Sequence, residues 1–400
     1  MKPFSFVHVA DLHLGYTQYN LDVRRVDFDR VFQELVDKTI ELNPDFMIIA
    51  GDVFHHARPS NITLENAITN LRRLKDARIP VLAVDGSHDS APNVITGTIL
   101  NPLDRAGLIY YLPRHENACW RNENCYVYGV PNFRTKRKTE ELLPAFLEQN
   151  EPNPDSSIFN IFVFHMALDL PKVTPPYIEA EATPELLPDG FNYYAAGHIH
   201  KPSKTSFKNG LLVYSGCTET VNHEDANVEK GFYHVEVNER GVPKLHRIKL
   251  ETPRRFIVLE AEYTSTHPSE ITERTVRMVK EADEDGAIVI AMLKGVLTAE
   301  ARRSDVNLTQ IRNAAEKALL VRPIVQLRET QVPEEVVRSI FTDELKDLKT
   351  KAFEYFLEVF SEHYGREEAE KIARLSVDLI EPLVRKEEHR VKEKLEAFIK

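Results

Sequence analysis

The sequence has few cysteines and lacks any long apolar run. Only three of the 400 residues are cysteine, and Cys119, Cys125 and Cys217 form no CxxC pair. Their odd number favours free thiols in a reducing compartment over a disulfide framework. No segment approaches about 18 uninterrupted apolar residues, so we expect no membrane span. The chain starts with the strand-like FSFVHVA and shows no secretory leader, so we expect a cytoplasmic location.

An excess of basic residues is also missing. The chain has 51 basic and 62 acidic side chains, and the net charge is −11. A nucleic-acid-binding protein usually presents a basic face, so the overall charge does not favour that class of protein. Local basic stretches and bound cations can still set the local field. Residues 134–138, RTKRK, form such a stretch, and a solvated loop is the simpler interpretation of it.

Polar side chains follow the first three predicted strands, at the point where each strand ends. DLH begins at Asp11 directly after FSFVHVA, GD ends at Asp52 after FMIIA, and DGSHD begins at Asp85 after PVLAV. Helical patterns separate these strands, which indicates an α/β sheet. Because such a sheet binds its ligands at the carboxyl ends of its strands, we expect these side chains to converge.

Histidines recur at two later strand ends. His165 follows FNIFVF, and His198 and His200 form the GHIH that follows YYAA. Residues two apart on an extended chain face the same side. Taken alone, each motif is more simply a surface histidine or a turn aspartate. Together they predict a site for divalent transition metals, which imidazole and carboxylate ligands suit, and Asp52 could bridge two ions there.

The remaining strands complete the predicted fold. Short apolar runs between residues 110 and 250 predict a second sheet, which packs face to face on the first. Helices outside both sheets make a four-layer α/β/β/α sandwich. A β-α-β-α-β pattern follows in residues 256–329 and predicts a small α/β domain without catalytic residues. Apolar residues at helical spacing then predict C-terminal helices, with a kink or break at Pro382.

The ordered motifs DxH, GDxxH, GxHD, H and GHxH resemble those of the calcineurin-like metallophosphoesterase superfamily over residues 4–200. Within it, DLHLG, GDVFHHARPS and GHIHKP resemble the nuclease subunit of the DNA double-strand-break repair complex. Bacterial SbcD and its archaeal counterparts form that family. The resemblance implies a nuclease domain at 1–252, a capping domain that recognises DNA at 253–330, and a helical region at 331–400 that binds an SMC-like ABC ATPase.

The resemblance also implies the site, carried over residue by residue, with two manganese ions per subunit. Asp52 would bridge the ions, His88 would approach the scissile phosphate with Asp89 orienting it, and His55 would be a second phosphate contact. The metal ligands would be Asp11, His13 and His200 for the first ion, and Ser87, His165 and His198 for the second. The residues expected to contact DNA are Arg58, Arg134, Lys136 and Arg137.

Position 87 departs from the family pattern, which has asparagine where this chain has Ser87. Asparagine offers a carbonyl oxygen, whereas serine offers a shorter hydroxyl, so the second ion would be held more weakly or through a water molecule. A natural variant of this branch and an engineered weakening are the two explanations. We favour the natural, active variant because every other implied ligand is present.

The activity that the resemblance implies is hydrolysis of DNA phosphodiesters by a manganese-dependent nuclease, acting as a 3′-to-5′ double-strand exonuclease and a single-strand endonuclease. The expected substrates are double-stranded DNA ends, hairpins and single strands. The expected location is the cytoplasm, in association with the nucleoid. A homodimer is expected through helices 62–77 and 95–106, although the apolar stripe of the second helix is equally explained by packing on the sheet. A small-molecule metallophosphoesterase, such as a cyclic-nucleotide phosphodiesterase, and a catalytically weakened scaffold are the alternatives.

Overall fold

The chain forms two compact units, Met1–Phe256 and Ile257–Lys400. None of the helices that the structure describes is long and apolar enough to cross a bilayer. The computed structural model describes residues 1–90, 97–298, 301–329, 345–361, 364–384 and 388–399.

Twelve strands and four α-helices are described in the first unit. The strands are β1 (Phe4–Val9), β2 (Phe46–Ala50), β3 (Val81–Val84), β4 (Tyr110–Tyr111), β5 (Cys119–Arg121), β6 (Cys125–Gly129), β7 (Phe159–His165), β8 (Tyr193–Gly197), β9 (Ser203–Phe207), β10 (Gly210–Tyr214), β11 (Gly231–Val237) and β12 (Pro243–Lys249). The helices are α1 (Asp22–Leu42), α2 (Asn61–Asp76), α3 (Leu100–Arg105) and α4 (Lys136–Gln149).

The strands form two six-stranded sheets with parallel centres. The first sheet has the order β12-β11-β1-β2-β3-β4, and the second has the order β5-β6-β7-β8-β10-β9. Strands β1, β2 and β3 run parallel, as do β6, β7 and β8. Parallel neighbours end at the same edge of a sheet. The loops after β1, β2 and β3 therefore start side by side, as do the loops after β7 and β8.

Three apolar layers hold the unit together and confirm the four-layer sandwich. Between the sheets, the rings of Phe6 and Phe46 stack with centroids 5.3 Å apart. Leu35 of α1 and Leu71 of α2 pack on the outer face of the first sheet. Leu143 of α4 packs on the outer face of the second. Each fully buried side chain of this kind contributes roughly 1.5–3 kcal/mol, so the two sheets form a rigid base for their edge loops.

The two helices expected to form a dimer contact differ in their exposure. Helix α2 begins where the sequence predicts, with the Ser60 hydroxyl accepting a hydrogen bond from Thr63 N–H at 3.2 Å, and it exposes Ile62. Helix α3 is shorter than the predicted 95–106, and residues 91–96 lie outside the described part. Leu103 of α3 is 3% exposed and belongs to the sheet core. Packing on the sheet is therefore the correct interpretation of that residue.

The basic stretch was wrongly expected to be a loop. Residues 136–138 form the first turn of α4, which the Thr135 hydroxyl caps by accepting a hydrogen bond from Lys138 N–H at 3.4 Å. Basic side chains at a helix N-terminus add to the positive end of the helix dipole instead of neutralising it. The start of α4 is therefore a concentrated positive region, in spite of the acidic overall charge.

The second unit contains the predicted β-α-β-α-β order. Its strands form a three-stranded sheet of order β13-β14-β15, and β14 and β15 are parallel. Ile271, Val279 and Leu293 form its core with neighbouring aliphatic residues. The second helix covers Leu308–Arg312, not the predicted 311–318. The elements are β13 (Phe256–Thr266), α5 (Pro268–Glu281), β14 (Ile288–Leu297), α6 (Leu308–Arg312) and β15 (Leu320–Arg328).

The described C-terminal residues form three helices, α7 (Leu345–Ser361), α8 (Arg366–Val384) and α9 (Glu388–Ile399). The start of the predicted helical region lies outside the described residues, which resume at 345. A kink or break was expected at Pro382; the helix is not broken there, because α8 continues through it to Val384. A proline so close to a helix end removes only one hydrogen bond of the last turn, which limits its cost.

A titratable side chain is enclosed in the core between the two sheets. His8 of β1 is fully buried, and its Nδ1 lies 2.9 Å from the Tyr193 hydroxyl. Burial lowers the pKa of His8 from 6.5 to about 3. The folded chain therefore keeps His8 neutral where the unfolded chain binds a proton. Its contribution to stability is present above pH 6.5 and is lost as the pH falls from 6.5 towards 3.

We predict that His8→Asn reduces the acid sensitivity of the first unit. Between pH 7 and pH 5, wild type should lose about 2 kcal/mol of unfolding free energy more than the variant, because 1.5 pH units at about 1.36 kcal/mol each lie below the ordinary histidine pKa. The measurement is chelator-treated urea denaturation followed by fluorescence of Trp120, the one tryptophan of the chain. The exposed His56→Asn is the control, and equal pH dependence in all three proteins contradicts the prediction.

Candidate metal centre

The loops that follow β1 and β2 continue to pair beyond the strands. Asp11 N–H donates to the Gly51 carbonyl at 3.1 Å, and His13 N–H donates to the Asp52 carbonyl at 3.0 Å. Four non-glycine residues of the site have positive φ angles, a conformation that costs energy and clusters at functional sites. They are Asp11 (φ 56°), His13 (φ 47°), Asp52 (φ 50°) and His198 (φ 89°).

The first group of donor atoms brings together Asp11, His13 and His200. Their ligand-type atoms all lie within 4.8 Å of one another. Nε2 of His13 is 3.4 Å from Nε2 of His200, and it is 3.8 Å from Oδ2 of Asp52. Burial lowers the pKa of His13 well below 6.5, so its imidazole is neutral. Neutral imidazoles beside carboxylates are the ligands of a divalent transition metal.

The second group brings together Asp11, Asp52 and His165. Nε2 of His165 is 3.3 Å from Oδ2 of Asp52, and the ring is fully buried. Its Nδ1 donates a hydrogen bond to the Ala50 carbonyl at 2.8 Å, whereas its buried Nε2 has no hydrogen-bond partner. Burial alone lowers the pKa of His165, but the carboxylates of Asp52 and Asp11 raise it to about 10.

These observations fit a divalent cation bound between His165 and the two carboxylates. A buried imidazole nitrogen without a hydrogen-bond partner costs free energy unless a ligand satisfies it. The carboxylates of Asp52 and Asp11, which raise the pKa of His165, favour a positive charge at this point. A metal ion would supply that charge and leave the Nε2 lone pair of His165 free to bind it.

The other implied ligands lie at the edge of the second group. His198 N–H donates to both oxygens of Asp11 at 3.2 Å, and its ring centroid is 5.2 Å from that of His165. Burial and the neighbouring His165 lower the pKa of His198 to about 3. The Ser87 hydroxyl donates to Oδ2 of Asp52 at 3.4 Å. His198 thus reaches the second group from the second sheet, and Ser87 reaches it from the first.

His88 is oriented by a group other than the expected one. Its Nδ1 donates to the His55 carbonyl at 3.0 Å, and its backbone N–H donates to Asp52 Oδ1 at 2.9 Å. Asp89 instead accepts hydrogen bonds from Gly86 N–H and Val53 N–H, both at 2.6 Å. Burial raises the pKa of Asp89 to about 8. The expected Asp89–His88 pairing is wrong, because the carboxyl group is used to join two backbone loops.

His55 lies in a stack of aromatic rings beside the first group. Its ring is 3.6 Å from the Tyr16 ring and 4.6 Å from the His88 ring. Its Nδ1 lies 3.3 Å from Nδ1 of His13. Burial and the neighbouring His88 lower the pKa of His55 to about 3, so it is neutral near pH 7. Nδ1 of the neutral His55 can accept a hydrogen bond from Nδ1–H of His13. Nε2 of His13 is then left to bind a metal.

Two side chains that support the ligands carry no motif signal in the sequence. Asp225 Oδ2 accepts a hydrogen bond from Nδ1 of His200 at 2.8 Å, which directs Nε2 of His200 towards Asp11. Asn132 Nδ2 donates to the His165 carbonyl at 2.6 Å. Carboxylates behind metal-binding histidines fix the ring and raise its basicity. Hydrogen-bond partners of this kind are expected behind metal-binding histidines in general, but only the fold shows that Asp225 and Asn132 are those partners here.

The four residues expected to contact DNA have different environments. Arg134 holds the loop that follows β3, the third loop, in place. Its Nε donates to the Ser90 hydroxyl at 2.7 Å, and its Nη2 donates to the Ser87 carbonyl at 3.3 Å. Lys136 and Arg137 are exposed at the start of α4, and Arg58 is exposed just beyond His55. A cleft of about 370 Å³ opens over the site, lined in part by Asp52, His88, His198 and His200.

The fold and the site together define a class: a metal-dependent phosphoesterase built on an α/β/β/α sandwich. Residues 4–202 match the family model described as calcineurin-like phosphoesterase. Three similar relatives are archaeal proteins named DNA double-strand break repair protein Mre11. That of Archaeoglobus fulgidus is 31% identical over 378 residues, covering 86% of this chain and 80% of the relative.

The other two relatives agree. The protein of Methanopyrus kandleri is 29% identical over 330 residues, covering 78% of this chain and 71% of the relative. That of Methanocaldococcus jannaschii is 32% identical over 267 residues, covering 63% and 68%. The chain belongs to the Mre11 group of the calcineurin-like phosphoesterase family. It is accordingly a metal-dependent phosphodiesterase, a hydrolase of the nuclease type.

The close approach of the third loop to Asp52 predicts the effect of a single methyl group. In Gly86→Ala, the new Cβ would lie 2.1 Å from Asp52 Oδ1 and 2.3 Å from its backbone nitrogen. The new Cβ fits only if the backbone of Asp52 shifts together with its side chain. We expect manganese affinity, measured by isothermal titration calorimetry, to fall by about tenfold or more.

The matched control for this prediction is Gly365→Ala, where an added Cβ meets nothing within 4 Å. It should bind manganese as wild type does. Circular dichroism of both variants checks that each is folded. A folded Gly86→Ala protein with unchanged manganese affinity would show that the backbone tolerates the displacement of Asp52.

Proposed function

We propose that the chain is a manganese-dependent DNA nuclease of double-strand-break repair, with 3′-to-5′ exonuclease activity on duplex ends and endonuclease activity on single strands and hairpins. The observation that carries the proposal is the convergence of Asp11, Asp52 and His165 with His13 and His200 at the carboxyl ends of strands from both sheets. The names of the archaeal relatives support DNA as the substrate.

The proposed ligand set follows the two groups of donor atoms. Asp11, His13 and His200 would hold one ion, and the partners of the other would include His165 and His198, with Asp52 between them. Ser87 completes the second set in the proposal. Two divalent ions in such a site supply an activated water and neutralise charge on the attacked phosphate. Mixed imidazole and carboxylate donors suit manganese, which we propose as the metal.

His88 is the proposed contact to the leaving oxygen or the phosphate. The His55 carbonyl accepts a hydrogen bond from Nδ1–H of His88 and fixes the ring plane, which leaves Nε2 for the substrate. An imidazole held in this way can stabilise charge on the phosphate or transfer a proton. His55 is the proposed second phosphate contact, since a hydrogen bond at its Nδ1 leaves Nε2–H available. In this proposal Asp89 joins the loops after β2 and β3 by accepting hydrogen bonds from the backbone of Val53 and Gly86.

The proposed path of the DNA backbone runs over the positive start of α4. Lys136 and Arg137 are exposed there, and Arg134 connects that turn to the third loop through Ser87 and Ser90. Exposed basic side chains that bind phosphate position a nucleic acid without reading its sequence. Arg58 is the proposed contact on the side of His55. A local positive region of this kind is compatible with the net charge of −11.

Activity measurements test the proposal directly. With manganese and a 5′-end-labelled duplex, wild type should shorten the labelled strand from its 3′ end, and Asp52→Ala should be slower by about 1,000-fold or more, because a two-ion site contributes several kcal/mol. Asp76→Ala, at an exposed position near the end of α2, should match wild type.

A parallel reaction with a cyclic nucleotide separates the alternatives. Turnover of the cyclic nucleotide without DNA degradation would identify a small-molecule phosphodiesterase. Absence of turnover of both substrates, in wild type loaded with manganese, would identify a scaffold. Either result would refute the proposed DNA nuclease.

The positive start of α4 gives a second prediction. In an Asp52→Ala background, which prevents cutting, the double variant Lys136→Glu/Arg137→Glu should weaken DNA binding by about tenfold or more in fluorescence anisotropy. The slope of log affinity against log salt should fall by about 2, since each duplex phosphate contact contributes about 0.9. Lys244→Glu is the control, because Lys244 is exposed at the opposite end of the first sheet. Equal losses in both proteins would exclude a specific contact at α4.

The assembly is the remaining part of the proposal. We propose a homodimer through α2, where Ile62 is exposed, with the neighbouring 95–106 segment contributing beyond its buried Leu103. Residues 253–330 are the proposed capping domain, and residues 331–400 the proposed contact with an SMC-like ABC ATPase. Light scattering of the chain, alone and mixed with that ATPase, measures both associations. A chain that stays monomeric and does not bind the ATPase would refute them.

A further inference from the structure

A buried glutamate that no motif contains lies beside His198, a proposed ligand of the second ion. Glu181 belongs to the segment between β7 and β8, and it is 7% exposed. Carboxylates are rarely buried without a cation or several hydrogen-bond donors. The groups that contact the Glu181 carboxylate therefore indicate its role.

The position of Glu181 is fixed from the end of β7. Ala167 N–H donates to Glu181 Oε2 at 3.1 Å, and Glu181 N–H donates to the Ala167 carbonyl at 2.8 Å. A further bond joins Asp169 N–H to the Ala182 carbonyl at 2.8 Å. Ala167 is only two residues beyond His165. The glutamate is therefore attached to the same strand end that delivers a proposed metal ligand.

The carboxylate of Glu181 lies near the imidazole of His198. Oε2 of Glu181 lies 3.6 Å from Nε2 of His198. Nitrogen and oxygen ligands bind first-row metals at about 2.0–2.2 Å, so two atoms that share one ion are roughly 3–4 Å apart. The separation of these two atoms is thus that of two ligands of one ion. It is too long for a direct hydrogen bond between the side chains.

The proposed second ion has a weaker set of donors than the first, because one of them is the Ser87 hydroxyl. Ser87 stands where the related motif has asparagine, and its hydroxyl is engaged with Asp52 at 3.4 Å. A neutral, short hydroxyl is a weak ligand for a divalent ion compared with a carboxylate. One additional oxygen donor at this ion would make up for the loss.

We infer that Glu181 supplies a carboxylate oxygen to the second metal ion and compensates for serine at position 87. The inference rests on the proposed two-ion site, and it adds a ligand that the strand-end motifs do not include. A carboxylate adds negative charge as well as an oxygen, so it would favour manganese or magnesium over softer metals at this ion.

The test measures metal binding without DNA. Manganese is titrated calorimetrically into wild type, Glu181→Gln, Ser87→Asn and the double variant. Glutamine keeps an oxygen to accept the Ala167 hydrogen bond but removes the charge. We expect Glu181→Gln to weaken the second binding event by about tenfold or more and to leave the first within about twofold. Ser87→Asn should restore most of the second event in the double variant.

Controls separate this role from a purely structural one. Glu179→Gln, at an exposed position on the same segment, should bind both ions as wild type does. Thermal unfolding without metal should be the same in Glu181→Gln and wild type. If metal-free Glu181→Gln melts lower and Ser87→Asn does not restore the second event, Glu181 only holds the loop and the inference is wrong.

Two other results would also overturn the inference, and they are distinguishable. Unchanged two-step binding by Glu181→Gln would refute the role of Glu181 and leave the two-ion site intact. Binding of a single manganese ion by wild type would refute the two-ion site itself. Neither result depends on whether DNA is the substrate, which the nuclease assay decides separately.

Discussion

The attraction between the buried carboxylates and a cation is the interaction on which the site depends. Asp11 is fully buried and Asp52 nearly so, and they share the neighbouring His165 as their positive partner. Their field raises the pKa of His165 to about 10 in spite of its burial. A carboxylate pair of this kind is costly without a counter-charge. The ligand-bound state is therefore expected to be the stable one, and the edge loops are built to hold it.

The protein holds these charges by joining its loops to one another. Asp89 accepts backbone hydrogen bonds from both the second and third loops. Asn132 and Arg134 connect the second sheet to the third loop and to His165. Left-handed backbone at Asp52 and His198 stores strain that these contacts must balance. The site is thus preorganised by hydrogen bonds between residues that do not touch the metal, and strong packing between the sheets keeps the edge fixed.

The supporting residues explain how a family motif can change without loss of the site. His200 depends on Asp225 for its orientation, and His88 depends on the His55 carbonyl. Ser87 is held by a loop that Arg134 fastens, so a substitution there alters one donor and leaves the loop in position. Glu181, which we infer to be a ligand of the same ion, is anchored to a different strand end. Redundancy among the loops makes such exchanges possible.

Sequence alone determined the fold class and the types of the implied ligands. Short apolar strands, each followed by aspartate or histidine, predict a sheet whose carboxyl edge gathers these side chains, because parallel strands end together. The tertiary structure decided which side chains support them. Asp225, Asn132 and Glu181 reach the site from irregular segments, and Leu103 turns into the core, where the sequence allowed a dimer face. Local patterns carry no information on these contacts, because they depend on how two separate sheets pack against each other.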